Sequence, residues 1–355
     1  MKVTIQSVAD RAGVSIGTVS RVLNNDPSVS EVLSNRVRES VRDLGYTPLR
    51  KRIPSTDNSK GISGKTIGLL TLGMDRSLSQ LPVVTAAIDG IRDGVSTAGA
   101  TLSILDVPEP SVEPDWLRRI DVDGWLIKGA MQGDLIRATH PNLLQQLRRL
   151  PCVWFHGRPR SAPGFGVGVN DWEVGALAAS HLSEKGHREV AFLSPKNNQS
   201  LLKRRQHGFV ARCEELGLRC TVESRNLQAW SFPLERPKSL DAVRSLLDRL
   251  LERTRRPSAI FVPADSIAVL LYRALAEHGI DLPRDLSVIS ANREEGLVAS
   301  LFPALTTIDI HASEVGREAV ALLERSFREG PDLPPQDVQI DPTLEEGESV
   351  AFLHP

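Results

Sequence analysis

The chain has 355 residues, more than the roughly 100–200 of one domain, so two or three domains fit and the core needs no disulfide or metal staple. Hydrophobic residues make up 41% and charged residues 25%, which excludes wholesale disorder, a collagen repeat and a coiled-coil rod. The net charge of −1 hides an asymmetry: residues 1–60 hold ten Lys/Arg against six Asp/Glu, and the remainder 33 against 38. A basic head on an acidic body points the head at something anionic. No apolar run reaches the ~18 residues of a membrane span, and the N-terminus lacks the apolar stretch of a signal peptide. Cys152, Cys213 and Cys220 are odd in number and lack paired short spacing. They read as reduced thiols of a cytoplasmic protein, with no metal site and no membrane partner expected.

The first 48 residues read as three short helices. Thr4 caps one running to about Ala12, with Ile5, Val8, Ala9 and Ala12 on one face. Gly13-Val14 breaks it. Ser15 caps a second, from Ile16 to about Leu23, which Asn24-Asn25-Asp26-Pro27 stops. Ser30 caps a third, in which Leu33, Val37, Val41 and Leu44 keep helical spacing and Gly45 stands past the end. Residues 49–65 turn basic and then polar, with Pro54, Gly61 and Gly64, and read as a linker. From Thr66 onward, strand candidates at 66–72, 101–107, 122–128, 152–156, 189–194, 219–223, 259–262 and 286–290 alternate with amphipathic stretches. Those stretches include 85–98, 172–185, 201–216, 240–252 and 266–278. Strands alternating with helices imply parallel sheets with crossovers, and a body of about 290 residues of this kind makes two α/β lobes.

A helix, a tight turn at Gly13 and a second short helix make a helix-turn-helix, whose second helix enters the major groove with its N-terminal side chains at base edges. At these positions the chain resembles the LacI/GalR family of bacterial transcriptional regulators. The resemblance rests on Val3-Thr4-Ile5, Val8-Ala9, Ala12 to Ser15, Thr18 to Asn24, Val29-Ser30, Arg38 to Val41 and Leu44 to Pro48. It continues through Thr66 to Leu70, Gly90 to Gly99, Ala178 to Leu182, Gly186-His187-Arg188, Arg205 with Gly208-Phe209, Asp285 to Ile289 and Pro303 to Ile308.

The resemblance implies a fold: an all-α headpiece (1–48), a hinge (49–65) and two Rossmann-like lobes of the periplasmic-binding-protein-like type (66–355). The chain would cross three times between lobe 1, about 66–170 and 309–331, and lobe 2, about 171–308 and 332–355. It also implies a cytoplasmic, nucleoid-associated homodimer on double-stranded operator DNA. A small carbohydrate-like effector between the lobes would control a repressor, with no cofactor.

In the headpiece, Arg21 suits a guanine edge or a phosphate. Ser15, Thr18, Ser20 and Asn24 suit phosphates, and Thr4 stands at the start of the first helix. Tyr46 suits either the DNA backbone or packing against the helices. The sequence departs from the family at Ile16 and Gly17, where polar readers are common. Ile16 offers only apolar contact, for instance to a thymine methyl, and Gly17 offers no side chain. The hinge lacks the family's leucine wedge, leaving Arg50, Lys51 and Arg52 to track phosphates. For the effector, the resemblance singles out Lys128, His156, Asn170, Asp171, Arg205, Trp230, Asp265 and Asn292. Carboxylate and amide acceptors, a forked arginine and a Trp230 face (or a core tryptophan) suit a polyhydroxylated ligand. Ala264, Asn292 and His156 replace residues that usually accept sugar hydroxyls, which shifts the expectation toward an anionic ligand.

Enzyme signatures are weak. There is no Walker A sequence and no His-Glu-x-x-His pair, and Gly164 to Gly168 lacks Gly-x-Gly-x-x-Gly spacing. His181 and His187 have no third partner and read as structural. The alternative class is a two-lobe solute-binding protein, against which the headpiece argues.

Overall fold

The computed structural model describes residues 4–23, 29–44, 61–131, 134–196, 199–225, 240–330 and 333–353. The chain divides into two units, Met1–Asp57 and Asn58–Pro355.

In the first unit, helix α1 (Ile5–Ala12) opens on a capping box: Ser7 N donates to Thr4 Oγ1 at 3.3 Å and Thr4 N to Ser7 Oγ at 3.4 Å. It closes on Gly13, whose φ of 61° is the left-handed turn that a Cβ would strain. Helix α2 (Ile16–Leu23) follows, with Ser15 Oγ accepting from Thr18 N at 3.1 Å as its cap. Helix α3 (Glu31–Asp43) begins after Ser30, which accepts from Ser34 N only through its carbonyl. The side-chain cap expected at Ser30 is therefore not formed. Val8, Ala9, Ala12, Val19, Val22 and Val37 make a small buried core.

The second unit begins earlier than the linker expectation allowed. Ile62 is fully buried in the body's main core, and Lys65 Nζ lies 4.9 Å over the Phe327 ring. Residues 61–65 thus belong to the body, because an isoleucine and a cation-π contact anchor them. The rest of the expected linker lies outside the described residues.

The first lobe follows the chain through β1 (Thr66–Leu72), α4 (Arg76–Ser79), α5 (Pro82–Thr97), β2 (Thr101–Val107), β3 (Gly124–Gly129), α6 (Leu135–Ala138), α7 (Pro141–Arg149), β4 (Cys152–Phe155) and β5 (Phe165–Val169). The second takes α8 (Asp171–Glu184), β6 (Glu189–Ser194), α9 (Ser200–Glu215), β7 (Arg219–Ser224), α10 (Leu240–Leu251), β8 (Ala259–Phe261), α11 (Asp265–Glu277), β9 (Ser287–Asn292), α12 (Glu295–Val298) and β10 (Thr306–Asp309). The chain then returns to the first lobe as α13 (Ala312–Glu329) and β11 (Asp337–Ile340), and ends in the second with β12 (Thr343–Glu345).

Among the described residues the two sheets are six-stranded, in the orders β11-β5-β4-β3-β1-β2 and β12-β10-β9-β8-β6-β7. Every pairing is parallel except that of β12 with β10. Parallel strands need both faces covered, and the sequence supplies both. Ile67 and Leu69 of β1 face the core under α5 and α13, while Leu70 and Leu72 face a second core with Leu143 and Leu147 of α7. Val190 and Phe192 of β6 alternate with Ala191 and Leu193 in the same way.

The crossings lie at 170, 310–311 and 341–342. β11 pairs with β5, so the third crossing falls about ten residues later than the expected 331/332 boundary. The crossings are laced together. Asn170 N donates to Ile340 O at 3.0 Å, Asn170 Nδ2 to Asp341 Oδ1 at 3.3 Å, and Thr343 Oγ1 lies 3.1 Å from His311 Nε2.

Candidate functional site

The headpiece presents the first turn of α2. Ser15, Gly17 and Arg21 are exposed, Ile16 is 43% exposed and Thr18 half-buried. The inward positions Val19 and Val22 are buried, so the packing that holds α2 also fixes which face points outward. Ser15 Oγ lies 3.0 Å from Thr18 Oγ1, so both hydroxyls serve the cap before they serve any ligand. Thr4 is occupied in the same way at α1. Gly13-Val14-Ser15-Ile16-Gly17 has the spacing of a nucleophile elbow, but it joins two helices, not a strand and a helix. The Ser20 side chain and Asn24, Tyr46, Arg50, Lys51 and Arg52 lie outside the described residues.

In the body, a cavity of about 380 Å³ opens between the lobes at the carboxyl ends of the strands. Arg205 organises one wall. Its side chain is 4% exposed, and Nε donates to Asp171 Oδ1 at 3.0 Å. Nη1 donates to Pro263 O at 2.6 Å and to Asn292 Oδ1 at 2.8 Å, while Nη2 takes no partner among the described residues. Arg204 Nη2 binds the other oxygen, Asp171 Oδ2, at 3.0 Å. The backbone explains this placement. A Cβ on Gly175 would overlap the Arg205 carbonyl, and one on Gly208 the Trp172 carbonyl. Paired glycines let α8 and α9 touch along their backbones, which sets Arg205 against the N-terminus of α8.

Lys128, at the end of β3, is buried and donates from Nζ to Gly129 O at 3.0 Å. Burial lowers its pKa to about 8, against the upward pull of Asp171. His156 follows β4 with a left-handed φ of 53°. Its Nε2 lies 3.3 Å from the Val83 carbonyl, which only accepts, so Nε2 carries the proton. Burial first, then Lys128 and Arg205, push His156 down to about 3, which keeps it neutral and without charge to offer a ligand.

Two expected residues stand aside from the cavity. Asp265 is fully buried and accepts from Ser290 Oγ, from Thr307 Oγ1 at 2.8 Å and from Glu294 N at 2.6 Å. Both its oxygens are spent on holding strand ends, and burial raises its pKa. Asn170 caps α8 through Glu173 N at 3.3 Å and belongs to the laced crossings. Trp230 lies outside the described residues.

Two residues that were not expected line the cavity. Lys196, just past β6, is 7% exposed, its pKa is lowered by burial, and its amine has no partner among the described residues. Its position just past the carboxyl end of a strand candidate is a signal that the sequence itself carries. Glu294 is buried, accepts from Val83 N at 3.2 Å across the lobes and from Asn292 Nδ2 at 3.4 Å, and has a pKa raised by burial and then by Asp265. His156, Asn292, Arg293 and His311 all hold positive φ at this cleft and its crossings, conformations that cost free energy and gather at functional sites.

Comparison with known proteins places both units. The sequence model for bacterial regulatory proteins of the lacI family matches residues 4–48, and that for a periplasmic binding protein-like domain matches 179–350. The chain thus joins a lacI-family DNA-binding segment to a periplasmic binding protein-like domain. Among its relatives, the ribose operon repressor of Escherichia coli (strain K12) is 27% identical over 350 residues, spanning 97% of this chain and 98% of the relative. The HTH-type transcriptional repressor PurR of Aliivibrio salmonicida (strain LFI1238) is 29% identical over 327 residues, 90% of this chain and 91% of the relative. The transcriptional regulator CelR in its cellobiose complex superposes with a TM-score of 0.64 at 22% identity, over 98% of this chain and all of that one. The lac repressor dimer bound to operator and the anti-inducer ONPF gives 0.63 at 20%, over 99% and 100%. These structures share the fold of this chain.

Proposed function

We propose that this protein is a transcriptional repressor. Its headpiece binds operator DNA, and a small ligand in the interlobe cleft controls that binding. The observation that carries the reading is the outward first turn of α2, with Ser15, Ile16, Gly17, Thr18 and Arg21 on a headpiece that matches the lacI family. The relatives named as repressors support regulation over catalysis. Two-fold pairing is supported by the need to read two half-sites, since one headpiece buries too little surface for tight binding. Such a homodimer works where its operator is, on the nucleoid in the cytoplasm.

Arg204, Arg205, Lys128 and Lys196 against Asp171 and Glu294 leave the cleft with two surplus positive charges, which supports an anionic effector. The ribose and cellobiose in the relatives' names support its carbohydrate-like part. The cleft itself does not, because Asp171 and Asn292 already accept from arginines.

A mobility shift on DNA upstream of the protein's own gene tests the reading. Affinity is expected to fall steeply with salt, by a log–log slope of about −0.9 per phosphate contacted. Arg21→Ala is expected to cost on the order of 1–3 kcal/mol. Binding indifferent to both salt and the substitution overturns it.

A further inference from the structure

The chemistry of the cleft wall goes further than its charge. We propose that the effector is an amphipathic organic anion, a carboxylate or phosphate ester carried on a hydrocarbon body. This rests on the reading of the interlobe cavity as the effector site.

The head group has a built receptor. Lys196 is 93% buried with no partner for its amine among the described residues. Arg205 holds Nη2 free while its other nitrogens are fixed by Asp171, Pro263 and Asn292, so the guanidinium is oriented before any ligand arrives. Among the described residues Lys128 hydrogen-bonds only a main-chain carbonyl, with the Asp171 charge acting on it from a distance. A buried cation without a counter-charge is costly, and an entering anion relieves that cost. Lys128 comes from the first lobe and Lys196 and Arg205 from the second, so an anion held by Lys128 and by either of the other two would pull the lobes together. The two acids of the cavity do not cancel this. Asp171 is shared by two arginines, and Glu294 is held by Val83 N and Asn292.

The body of the ligand meets a different surface. Met74 and Leu78 of the first lobe and Leu201, Ile267, Leu270 and Leu297 of the second line it, and their side chains carry no hydrogen-bonding group beyond the weakly accepting Met74 thioether. A polyol placed here loses water from each hydroxyl without replacement. A hydrocarbon chain or ring gains from the same burial. The described lining also presents no aromatic face other than the ring of His156 for a sugar to stack on.

The test is calorimetry on the full chain with phenylacetate, octanoate and phenyl phosphate. Ribose, cellobiose, ribose 5-phosphate and the neutral benzyl alcohol are run beside them. At least one hydrocarbon anion is expected to bind, and benzyl alcohol to bind at least about tenfold more weakly, as expected for loss of a charged hydrogen bond. Lys196→Gln is expected to weaken the anion by about tenfold or more, Lys196→Arg to restore most of it, and Leu270→Asn to weaken it by about tenfold through the apolar wall. Melting curves of each variant separate lost binding from lost folding. If ribose 5-phosphate or a free sugar binds more tightly than every hydrocarbon anion, or no hydrocarbon anion binds at millimolar concentration, the inference falls and the cleft reading stands. If a hydrocarbon anion binds but is indifferent to Lys196→Gln, Arg205→Lys and Leu270→Asn, the cleft reading itself falls.

Discussion

Gly17 sits in the first turn of α2, where glycine is a poor choice for helix stability. A Cβ there would meet only Ser15 Oγ, at an ordinary 3.6 Å, and the backbone is not left-handed. Packing therefore does not require the glycine. Close approach to a DNA groove, on the function proposed above, would require it. Gly17→Ala is expected to leave headpiece stability unchanged or raise it by up to about 1 kcal/mol, while weakening operator binding. Melting and mobility shift on the same preparation decide this; a variant that is stabilised and binds as before removes Gly17 from the interface. His156 carries the second expectation at this scale. Its folded pKa, about 3, lies below its ordinary 6.5, so the native ring stays neutral while the unfolded ring takes a proton. Between those values the unfolded state binds more protons, and stability falls as pH falls. The slope from this one group is on the order of 1.4 kcal/mol per pH unit. Urea unfolding between pH 5.5 and pH 4.5 should include this slope on top of that from His187, whose pKa burial lowers to about 4, and His156→Asn should flatten it by that amount.

Among the elements, the α8–α9 contact determines the arginine geometry. Gly208→Ala places a methyl against the Trp172 carbonyl, so the helices must part. Overpacking of this kind costs about 1–3 kcal/mol. Unfolding by urea is expected to report that loss together with weaker binding of any effector, because Arg205 moves with α9; a variant as stable as the parent removes the argument. Much of this level was readable in advance. The expected strands match those observed within two residues at each end, since buried parallel strands are continuous apolar runs. β5 gives no strand signal because its apolar residues are interrupted by Gly166 and Gly168, which reads as a loop. Gly166 is there because a Cβ would strike Asp337 of β11, a neighbour about 170 residues away. β10 and β12 are short and carry Thr, Asp and Glu, so no apolar run marks them. Of the residues that the resemblance singles out, Arg205, Asp171, Lys128, His156 and Asn292 line the cavity. Asp265 and Asn170 stand at the right helix starts but spend their side chains on the scaffold, a choice of rotamer and partner that sequence position does not reveal. Lys196 carried a readable signal and Glu294 did not, being one of two adjacent acids that look like a solvated surface.

For the whole molecule, alternation of strand and helix revealed two lobes but not which strand joins which sheet. The three crossings are a matter of topology, and even resemblance misplaced the last by about ten residues. Light scattering is expected to give twice the chain's 38.9 kDa at micromolar concentration, with operator or without. A monomer under both conditions argues against paired half-sites. The same measurement, repeated with saturating effector, separates control of DNA binding from control of assembly.

The return of α13 and β11 to the first lobe has a consequence for synthesis on the ribosome. Strands β1 to β5 are complete at Val169, but the helix that covers Ile67, Leu69, Leu126 and Phe155 begins at Ala312. Roughly 140 residues intervene, which at about 5–20 residues per second leaves that apolar sheet face half-covered for roughly 7 to 30 seconds. The nascent first lobe is therefore a client for chaperones that bind hydrophobic surface, and slow codons within the second lobe lengthen its exposure. Ribosome-bound chains arrested near residue 300 are expected to be cleaved readily within residues 66–169 by a low dose of protease. Chains extended far enough for residue 345 to clear the exit tunnel should resist it.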